Sequence, residues 1–219
     1  MMSAAALIRT RIDQEILDHR TLVGCLSDYR KPRDKIGRLL REGVIVRIKK
    51  GLYVFGPAFR RGPCPLETLA NLIYGPSCVS LQYALAYHGL IPERVGTITS
   101  VTTGKRRTFI TPLGTFTYVP LDAARYCRGI ERVEGPGRSA FLIATVEKAL
   151  LDLAWVDRRF HGRSIADCRA YLLEDLRIDP EGLRRLDVGR LRAIAEGHAS
   201  AKITRVVKAI AALKELDHE

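Results

Sequence analysis

Apolar and polar positions alternate along the first sixty residues in a pattern that predicts three helices followed by a β-hairpin. The first predicted helix ends near His19 and has its apolar positions at Leu7, Ile8, Ile12, Ile16 and Leu17. Two more helices are predicted over 21–27 and 32–42, and two strands over 44–48 and 52–55. Pro32 suits the first turn of a helix, Gly43 suits its end, and Gly51 suits a tight turn between strands. This order is typical of a winged helix-turn-helix, and we assign residues 1–58 to such a domain.

Residues 56–65 are rich in glycine and proline and predict a linker, with a second domain over 65–219. The predicted helices of that domain begin at Pro65, Ser80, Ala144, Ser164, Asp179 and Asp187, and a last one carries Ile203, Val206, Val207, Ile210 and Leu213 on one face. Three predicted strands over 97–103, 106–112 and 114–120 form an antiparallel meander. The expected fold class is α+β: an N-terminal winged helix-turn-helix, then a larger mixed domain with a small antiparallel sheet and several helices.

The chain carries a net charge of +12, and that charge is unevenly distributed. Residues 1–60 contain thirteen Lys/Arg against six Asp/Glu, a balance of +7, so the remaining 159 residues supply only +5. A generally basic surface would spread the charge along the chain. The concentration therefore favours an anionic partner, and nucleic acid is the commonest one.

The predicted helix over 32–42 separates apolar from basic side chains. Its apolar positions are Ile36, Leu39 and Leu40; at about 100° per residue, Asp34, Arg38 and Arg41 lie opposite them, flanked by Lys35 and Glu42. A recognition helix needs this division, because one face docks on its domain while the other enters the major groove. We expect Arg38 and Arg41 to donate to guanine edges and Arg33 to contact a phosphate. The alternative is a solvated basic face on an ordinary helix.

The turn before this helix and the tip of the hairpin add further basic residues, which we expect to contact the DNA backbone. The full predicted set of DNA-binding residues is Tyr29, Arg30, Lys31, Arg33, Lys35, Arg38, Arg41, Lys49 and Lys50. A second basic cluster, Lys105, Arg106 and Arg107, lies at a predicted strand turn and is either a surface turn or a second phosphate or partner contact. It is not a phosphate-binding P-loop, because Thr99 stands where that motif needs glycine.

Candidate catalytic and metal-binding residues are sparse. Glu147 and Asp152 are five positions apart, about 140° around a helix, so they share no face as an acid/base or metal pair would. Lys148 and Asp152 are four apart, which predicts an ordinary surface ion pair, and His88 suits a helix end. The five cysteines (Cys25, Cys64, Cys78, Cys127 and Cys168) lie too far apart for a zinc motif. We predict a protein that is not an enzyme and has no metal or other cofactor.

The sequence lacks the hydrophobic segments of membrane and secreted proteins. No apolar run approaches the roughly 18–20 residues needed to cross a bilayer, and the first residues lack the pattern of a signal peptide. We therefore expect a cytoplasmic protein with no membrane partner.

Several short segments together carry a family resemblance. They are Lys50-Gly51-Leu52-Tyr53, Val79-Ser80-Leu81, Ala84-Leu85-Ala86-Tyr87-His88-Gly89-Leu90, Val101-Thr102-Thr103 and Ala144-Thr145-Val146-Glu147-Lys148-Ala149-Leu150-Leu151-Asp152. In this order the chain, over roughly residues 10–215, resembles the AbiEi family of antitoxins from type IV, abortive-infection toxin–antitoxin systems of phage defence. Val146 stands where members of the family often have proline.

The resemblance implies two functions. The N-terminal domain would repress its own operon by binding operator DNA, a double-stranded partner, as a transcriptional regulator. The C-terminal domain over 65–219 would counteract a nucleotidyltransferase-like toxin without forming a stable complex with it. Two rival hypotheses remain: a stand-alone regulator whose second domain senses a ligand or protein, and an enzyme acting on nucleic acid with the N-terminal domain as its targeting module.

Overall fold

The computed structural model describes residues 3–215, and for Arg138 only the backbone. The fold is of the mixed α+β class, as predicted. Residues 3–59, the N-terminal body, contain α1 (Ala4–Arg11), β1 (Ile16–Asp18), α2 (His19–Cys25), α3 (Pro32–Arg41), β2 (Ile45–Lys49) and β3 (Leu52–Phe55). The three strands form a small antiparallel sheet in the order β1-β3-β2. The helices close over one core, whose largest members are Ile8, Leu17, Leu22, Leu26, Leu39, Ile45 and Phe55.

The predicted first helix is wrong in its second half. α1 ends at Arg11, and the chain then extends so that Leu17 pairs with Tyr53 on β3. The free edge of β3 offers backbone hydrogen bonds to this segment, and no helical periodicity in the sequence reports such a distant partner. α2 then begins at His19, two residues before the predicted start at Thr21, and Asp18 caps it by accepting the Thr21 N–H at 2.7 Å.

Two glycines let the ends of the hairpin approach the end of α3. A Cβ atom on Gly56 would lie 1.9 Å from the Gly43 carbonyl oxygen, and the Gly56 N–H donates to the Val44 oxygen at 2.8 Å. Gly43 itself has a φ of 67°, which favours glycine at the end of the helix. The approach fixes β2 and β3 relative to α3.

Residues 66–215 form the C-terminal body. Its helices are α4 (Leu66–Ile73), α5 (Leu81–Tyr87), α6 (Ala123–Tyr126), α7 (Val146–Val156), α8 (Ile165–Ala170), α9 (Pro180–Arg185), α10 (Val188–His198) and α11 (Ala201–Glu215). Its strands are β4 (Ser77–Val79), β5 (Ile98–Thr102), β6 (Arg107–Thr111), β7 (Gly114–Pro120), β8 (Ile130–Glu134) and β9 (Ala140–Ala144). They form one six-stranded mixed sheet in the order β6-β7-β5-β4-β9-β8.

The predicted meander of three antiparallel strands is wrong in its order. β7 lies between β6 and β5 and runs parallel to β5, with Ile98 opposite Phe116. β7 buries Phe116 and Tyr118, whereas β6 exposes Arg107 and Ile110. The more apolar strand therefore takes the inner position and leaves the polar strand at the edge.

The sheet has a narrow seam between β4 and β9, which the sequence did not predict as strands. Their register has a single pair, Val79 opposite Ile143. Beside this pair, the side-chain amide of Asn71 on α4 makes hydrogen bonds to the backbone of both strands. Its oxygen accepts the Leu142 N–H at 2.6 Å, and its nitrogen donates to the Leu142 and Ser77 carbonyl oxygens at 3.4 Å. One side chain thus completes the pairing of β9.

α7 is the central helix of the C-terminal body and is enclosed by α5, α10, α11 and the sheet. The predicted helix starts at Ser164, Asp179 and Asp187 are confirmed, since each side chain accepts a backbone N–H at the start of α8, α9 and α10. Ser80 precedes α5 as predicted, but its side chain does not cap the helix and donates to Asp152 instead. Within residues 3–215, the helices are too short or too polar to cross a membrane.

Candidate nucleic-acid interface

α3 is held in the N-terminal body by its apolar face. Ile36 and Leu39 are buried, at 4% and 2% exposure, while Leu40 is half-buried. Arg38 and Arg41 are exposed on the other side of the helix. The predicted division into an apolar and a basic face is confirmed, with Leu40 at the boundary between them.

A shallow groove of about 480 Å³ runs between α3 and the turn that precedes it. The residues that line this α3 groove are Tyr29, Arg30, Lys31, Asp34, Lys35, Arg38 and Arg41. The Lys35 ammonium lies 4.7 Å from the centre of the Tyr29 ring, a cation–π contact that positions the lysine at the groove. Arg33 is exposed and lines a neighbouring groove that shares Lys31. Most of the predicted DNA-binding residues therefore meet on one surface.

Arg38 is paired with Glu42, one helical turn away. Its Nε donates to the glutamate at 2.7 Å, and this hydrogen bond raises the pKa of Arg38. The pair is exposed to water, so the attraction holds the arginine only weakly. Bidentate recognition of guanine needs two N–H groups of the fork, and the terminal nitrogens of Arg38 make no hydrogen bond within the described part of the chain.

The two lysines at the tip of the β2–β3 hairpin have different environments. Lys50 is exposed, and Gly51 turns the chain with a φ of 83°. Lys49 is half-buried, and its ammonium donates to the Ile73 carbonyl oxygen at the end of α4, at 2.5 Å. Burial lowers the pKa of Lys49. Lys49 thus ties the hairpin to the C-terminal body, and Lys50 is the tip lysine that remains open to a phosphate.

The second basic cluster, like this hairpin tip, contacts the end of α4. Lys105, Arg106 and Arg107 are all exposed, and the Lys105 backbone N–H donates to the Tyr74 hydroxyl oxygen at 3.0 Å. Tyr74 directly follows Ile73, the residue that accepts from Lys49. The two contacts connect the hairpin tip and the basic turn to two consecutive residues at the end of α4.

Sequence reasoning missed Arg47 on β2. It is exposed between the half-buried Val46 and Ile48, and its guanidinium lies 5.9 Å from the centre of the Tyr53 ring. The alternation of apolar and polar residues along 46–49 was the available signal, because side chains of a strand point to opposite faces. Arg47 extends the exposed basic residues of the hairpin.

A second constellation, the buried cluster, consists of Ser80, Lys148, Asp152 and His198, all 0% exposed. The Asp152 carboxylate accepts from the Ser80 hydroxyl at 2.9 Å and lies 3.1 Å from the Lys148 ammonium. Lys148 also donates to the Arg125 carbonyl oxygen at 2.8 Å. The predicted ion pair between Lys148 and Asp152 therefore forms, but its predicted place on the surface is wrong, because neighbouring helices cover α7 on this side.

Contacts around the buried cluster connect it to the ends of neighbouring helices. The His198 ring lies 3.6 Å from Asp152, and the His198 carbonyl oxygen accepts from Arg125, whose guanidinium stacks on Trp155 at 4.1 Å. Since none of the four side chains is exposed, a substrate has no route to them in this conformation. The cluster joins α5, α6, α7 and α10 and is a structural network.

Among residues 3–215, no group of three or more His, Cys, Asp or Glu side chains is arranged to hold a metal ion. No protein-family model matches the chain, and no curated protein sequence is similar to it at a significant level.

Proposed function

We propose that this protein is a DNA-binding transcriptional repressor whose N-terminal body is a winged helix-turn-helix. In this proposal α2 and α3 form the helix-turn-helix, α3 is the recognition helix, and the β2–β3 hairpin is the wing. The observation that carries it is the α3 groove, which is lined by six of the predicted DNA-binding residues. In the β2–β3 hairpin, β2 is partly exposed and β3 is buried. The net charge of +12 supports an anionic partner.

The proposed roles follow from position. Arg38 and Arg41 on the exposed face of α3 contact base edges in the major groove, and Arg33 and Lys35 contact phosphates. Lys50 at the wing tip reaches the backbone or the minor groove, since its ammonium is free of the contact that holds Lys49. The backbone contacts supply affinity that depends on salt, and the base contacts supply specificity.

The turn formed by Lys105, Arg106 and Arg107 is a second phosphate contact in this proposal. Its connection to the same end of α4 that Lys49 contacts favours this role over that of an unrelated surface turn. DNA that passes the wing would continue onto the C-terminal body, and each neutralised phosphate would add to the salt dependence of binding.

We further propose that the C-terminal body acts as the antitoxin of a type IV system against a nucleotidyltransferase-like toxin. The support for this part is the resemblance of segments such as Glu147-Lys148-Ala149-Leu150-Leu151-Asp152 to the AbiEi family. Growth rescue on co-expression with a nucleotidyltransferase-like toxin tests it. A chain that represses its operon but never rescues growth would be a stand-alone regulator.

DNA binding is tested by titrating the DNA upstream of the gene, and random DNA of equal length, at fixed salt. Replacing both Arg38 and Arg41 with alanine is expected to reduce the ratio of the two affinities by roughly tenfold or more. The matched control replaces Arg158 and Arg159, two exposed arginines beyond α7, and removes the same charge. An equal loss in both double variants would mean that bulk charge, rather than α3, binds the DNA.

A further inference from the structure

α3 has a glycine in its interior. Gly37 is the sixth of the ten residues of the helix, five positions after Pro32 and four before Arg41. Inside a helix only proline is less favourable than glycine, because the unfolded chain has the most conformational freedom at glycine. Such a glycine is typical of a place where another group approaches the backbone more closely than a Cβ atom allows.

Where α10 meets α6, the approaching group belongs to the protein itself. A Cβ atom on Gly197 of α10 would lie 2.6 Å from the Ala124 carbonyl oxygen, so this glycine lets the two helices pack together. Gly37 has no such neighbour among the described residues. Apart from the backbone of its own helix, the atom recorded within 4 Å of its Cβ position is Nη1 of Arg41, at 3.9 Å. This is ordinary van der Waals distance, so an alanine would fit at Gly37 without moving Arg41.

Gly37 lies on the side of α3, between its buried and its exposed faces. Successive residues of a helix are about 100° apart, so Gly37 lies about 100° from Ile36, whereas Arg38 lies about 200° from it. Ile36 is buried in the N-terminal body and Arg38 is exposed. Lys35 lies about 100° from Ile36 in the other direction, on the opposite side of the helix from Gly37.

Two exposed arginines leave a gap between them on the side of α3 that holds Gly37. Arg33 and Arg41 are each four residues from Gly37, or about 6 Å along the helix axis. The Arg41 guanidinium leans back toward the gap, as long side chains of helices do, and reaches the 3.9 Å contact with the Cβ position. A positively charged group thus borders the open space, which favours an anionic group in it.

The dimensions of B-form DNA make such a gap useful on a recognition helix. The major groove is about 12 Å wide, and a helix with its side chains is about 10–12 Å across. Side chains that point to the floor of the groove reach the base edges, while those on the two sides of the helix meet the sugar–phosphate walls. A helix that enters the groove fully therefore benefits from a small residue on one side.

We propose that Gly37 is the position at which α3 packs against a sugar–phosphate wall of the major groove, with Lys35 toward the opposite wall. Arg33 then contacts a phosphate of the wall beside Gly37, and Arg38 and Arg41 reach the bases because the helix lies deep. The inference rests on the proposed repressor function, and it adds an uncharged residue that sets how deeply the recognition helix enters.

Two substitutions at Gly37 test this role in the full chain, because alanine and leucine both favour a helix more than glycine does. Gly37→Ala is expected to raise the melting temperature by about 2–4 °C. The same substitution should weaken binding to the DNA upstream of the gene by roughly fivefold, and Gly37→Leu by roughly fiftyfold, because a larger side chain holds the helix further out. Random DNA of equal length should lose less affinity, since it depends less on base contacts.

The salt dependence of binding separates a steric effect from a lost charge. Gly37→Ala removes no charge, so the slope of log affinity against log salt should stay the same. The matched control is Gly24, an exposed glycine one residue before the end of α2 whose Cβ position has no atom within 4 Å among the described residues. Gly24→Ala and Gly24→Leu are expected to leave the affinity for DNA unchanged.

Three results would overturn the role of Gly37. If both Gly37 variants bind operator DNA like the unaltered chain, or if the Gly24 variants lose as much affinity, the inference is wrong while the repressor function stands. A salt slope that falls by about 1 in Gly37→Ala would mean that the variant displaces a basic side chain instead. If the unaltered chain binds neither operator nor random DNA, the repressor function itself is wrong, and the role of Gly37 with it.

Discussion

Two ion pairs in this protein have the same spacing on a helix and opposite surroundings. Arg38 and Glu42 lie 2.7 Å apart with their side chains 63% and 46% exposed, whereas Lys148 and Asp152 lie 3.1 Å apart and are wholly buried. Water screens the first pair and is excluded from the second, so loss of a partner has different consequences. The charges of Arg38 and Glu42 are thus available to a partner, while those of Lys148 and Asp152 hold the fold.

The largest effect that this comparison predicts is the loss of Lys148. Lys148→Ala leaves the Asp152 carboxylate and the Arg125 carbonyl oxygen without their ammonium partner in the interior. We expect the free energy of unfolding to fall by about 3–5 kcal/mol. Urea denaturation followed by circular dichroism measures it.

The control for this loss is a double variant, Lys148→Met with Asp152→Leu. It removes both charges together and keeps similar volumes, so much of the lost stability should return. If Lys148→Ala costs no more than an exposed alanine substitution, the pair does not hold the helices together and the contrast with Arg38–Glu42 disappears.

A smaller effect separates the two neighbouring lysines of the hairpin tip. Lys49→Ala removes the hydrogen bond to Ile73, and we expect a loss of about 1 kcal/mol in the free energy of unfolding. Lys50→Ala should leave stability unchanged. Instead, it should lower the slope of log affinity for DNA against log salt by about 1, because one phosphate contact is lost.

Reversed results for these two lysines would contradict their assignment. A lower salt slope in Lys49→Ala with no loss of stability would mean that this ammonium leaves Ile73 and reaches the DNA. Since the residues are adjacent and alike in charge, each variant is the control for the other.

The smallest effect is expected at the exposed ion pair. Glu42→Gln removes the charge that holds Arg38, and the urea midpoint should hardly move because both side chains are exposed. DNA affinity should rise by roughly twofold, since a carboxylate beside the α3 groove repels phosphates. Anisotropy titration at low salt measures this. Weaker binding by the variant would instead mean that Glu42 orients Arg38 for its contact.

The sequence predicted best those features that depend on local spacing. The apolar and basic faces of α3 follow from helix geometry, and the helix caps at Ser164, Asp179 and Asp187 follow from short side chains before apolar runs. The candidate DNA-binding residues were found in the same way, because an exposed face shows its chemistry directly in the residue types. These are properties of one element at a time.

Features that depend on distant partners were not predicted. Lys148 is buried because α5 and α10 pack against α7, and β7 lies inside the sheet because it pairs with β5. The spacing of residues along α7 or β7 gives no information about these partners. The contact of Lys49 with Ile73 joins residues 24 positions apart, so the lysine looked like any other turn residue. The proposed antitoxin role depends on a resemblance, since the exposed residues described for the C-terminal body did not suggest it.

The seam between β4 and β9 gives the C-terminal sheet a preferred place to separate. Within the sheet, one register pair and the amide of Asn71 connect the β8–β9 hairpin to β4, so we expect the hairpin to separate more readily than the remaining strands. Amide protons of residues 140–144 should then exchange with solvent through openings smaller than global unfolding, ahead of those in β5 and β7. We expect loss of the Asn71 amide to make these openings more frequent, because β4 and β9 would keep one register pair.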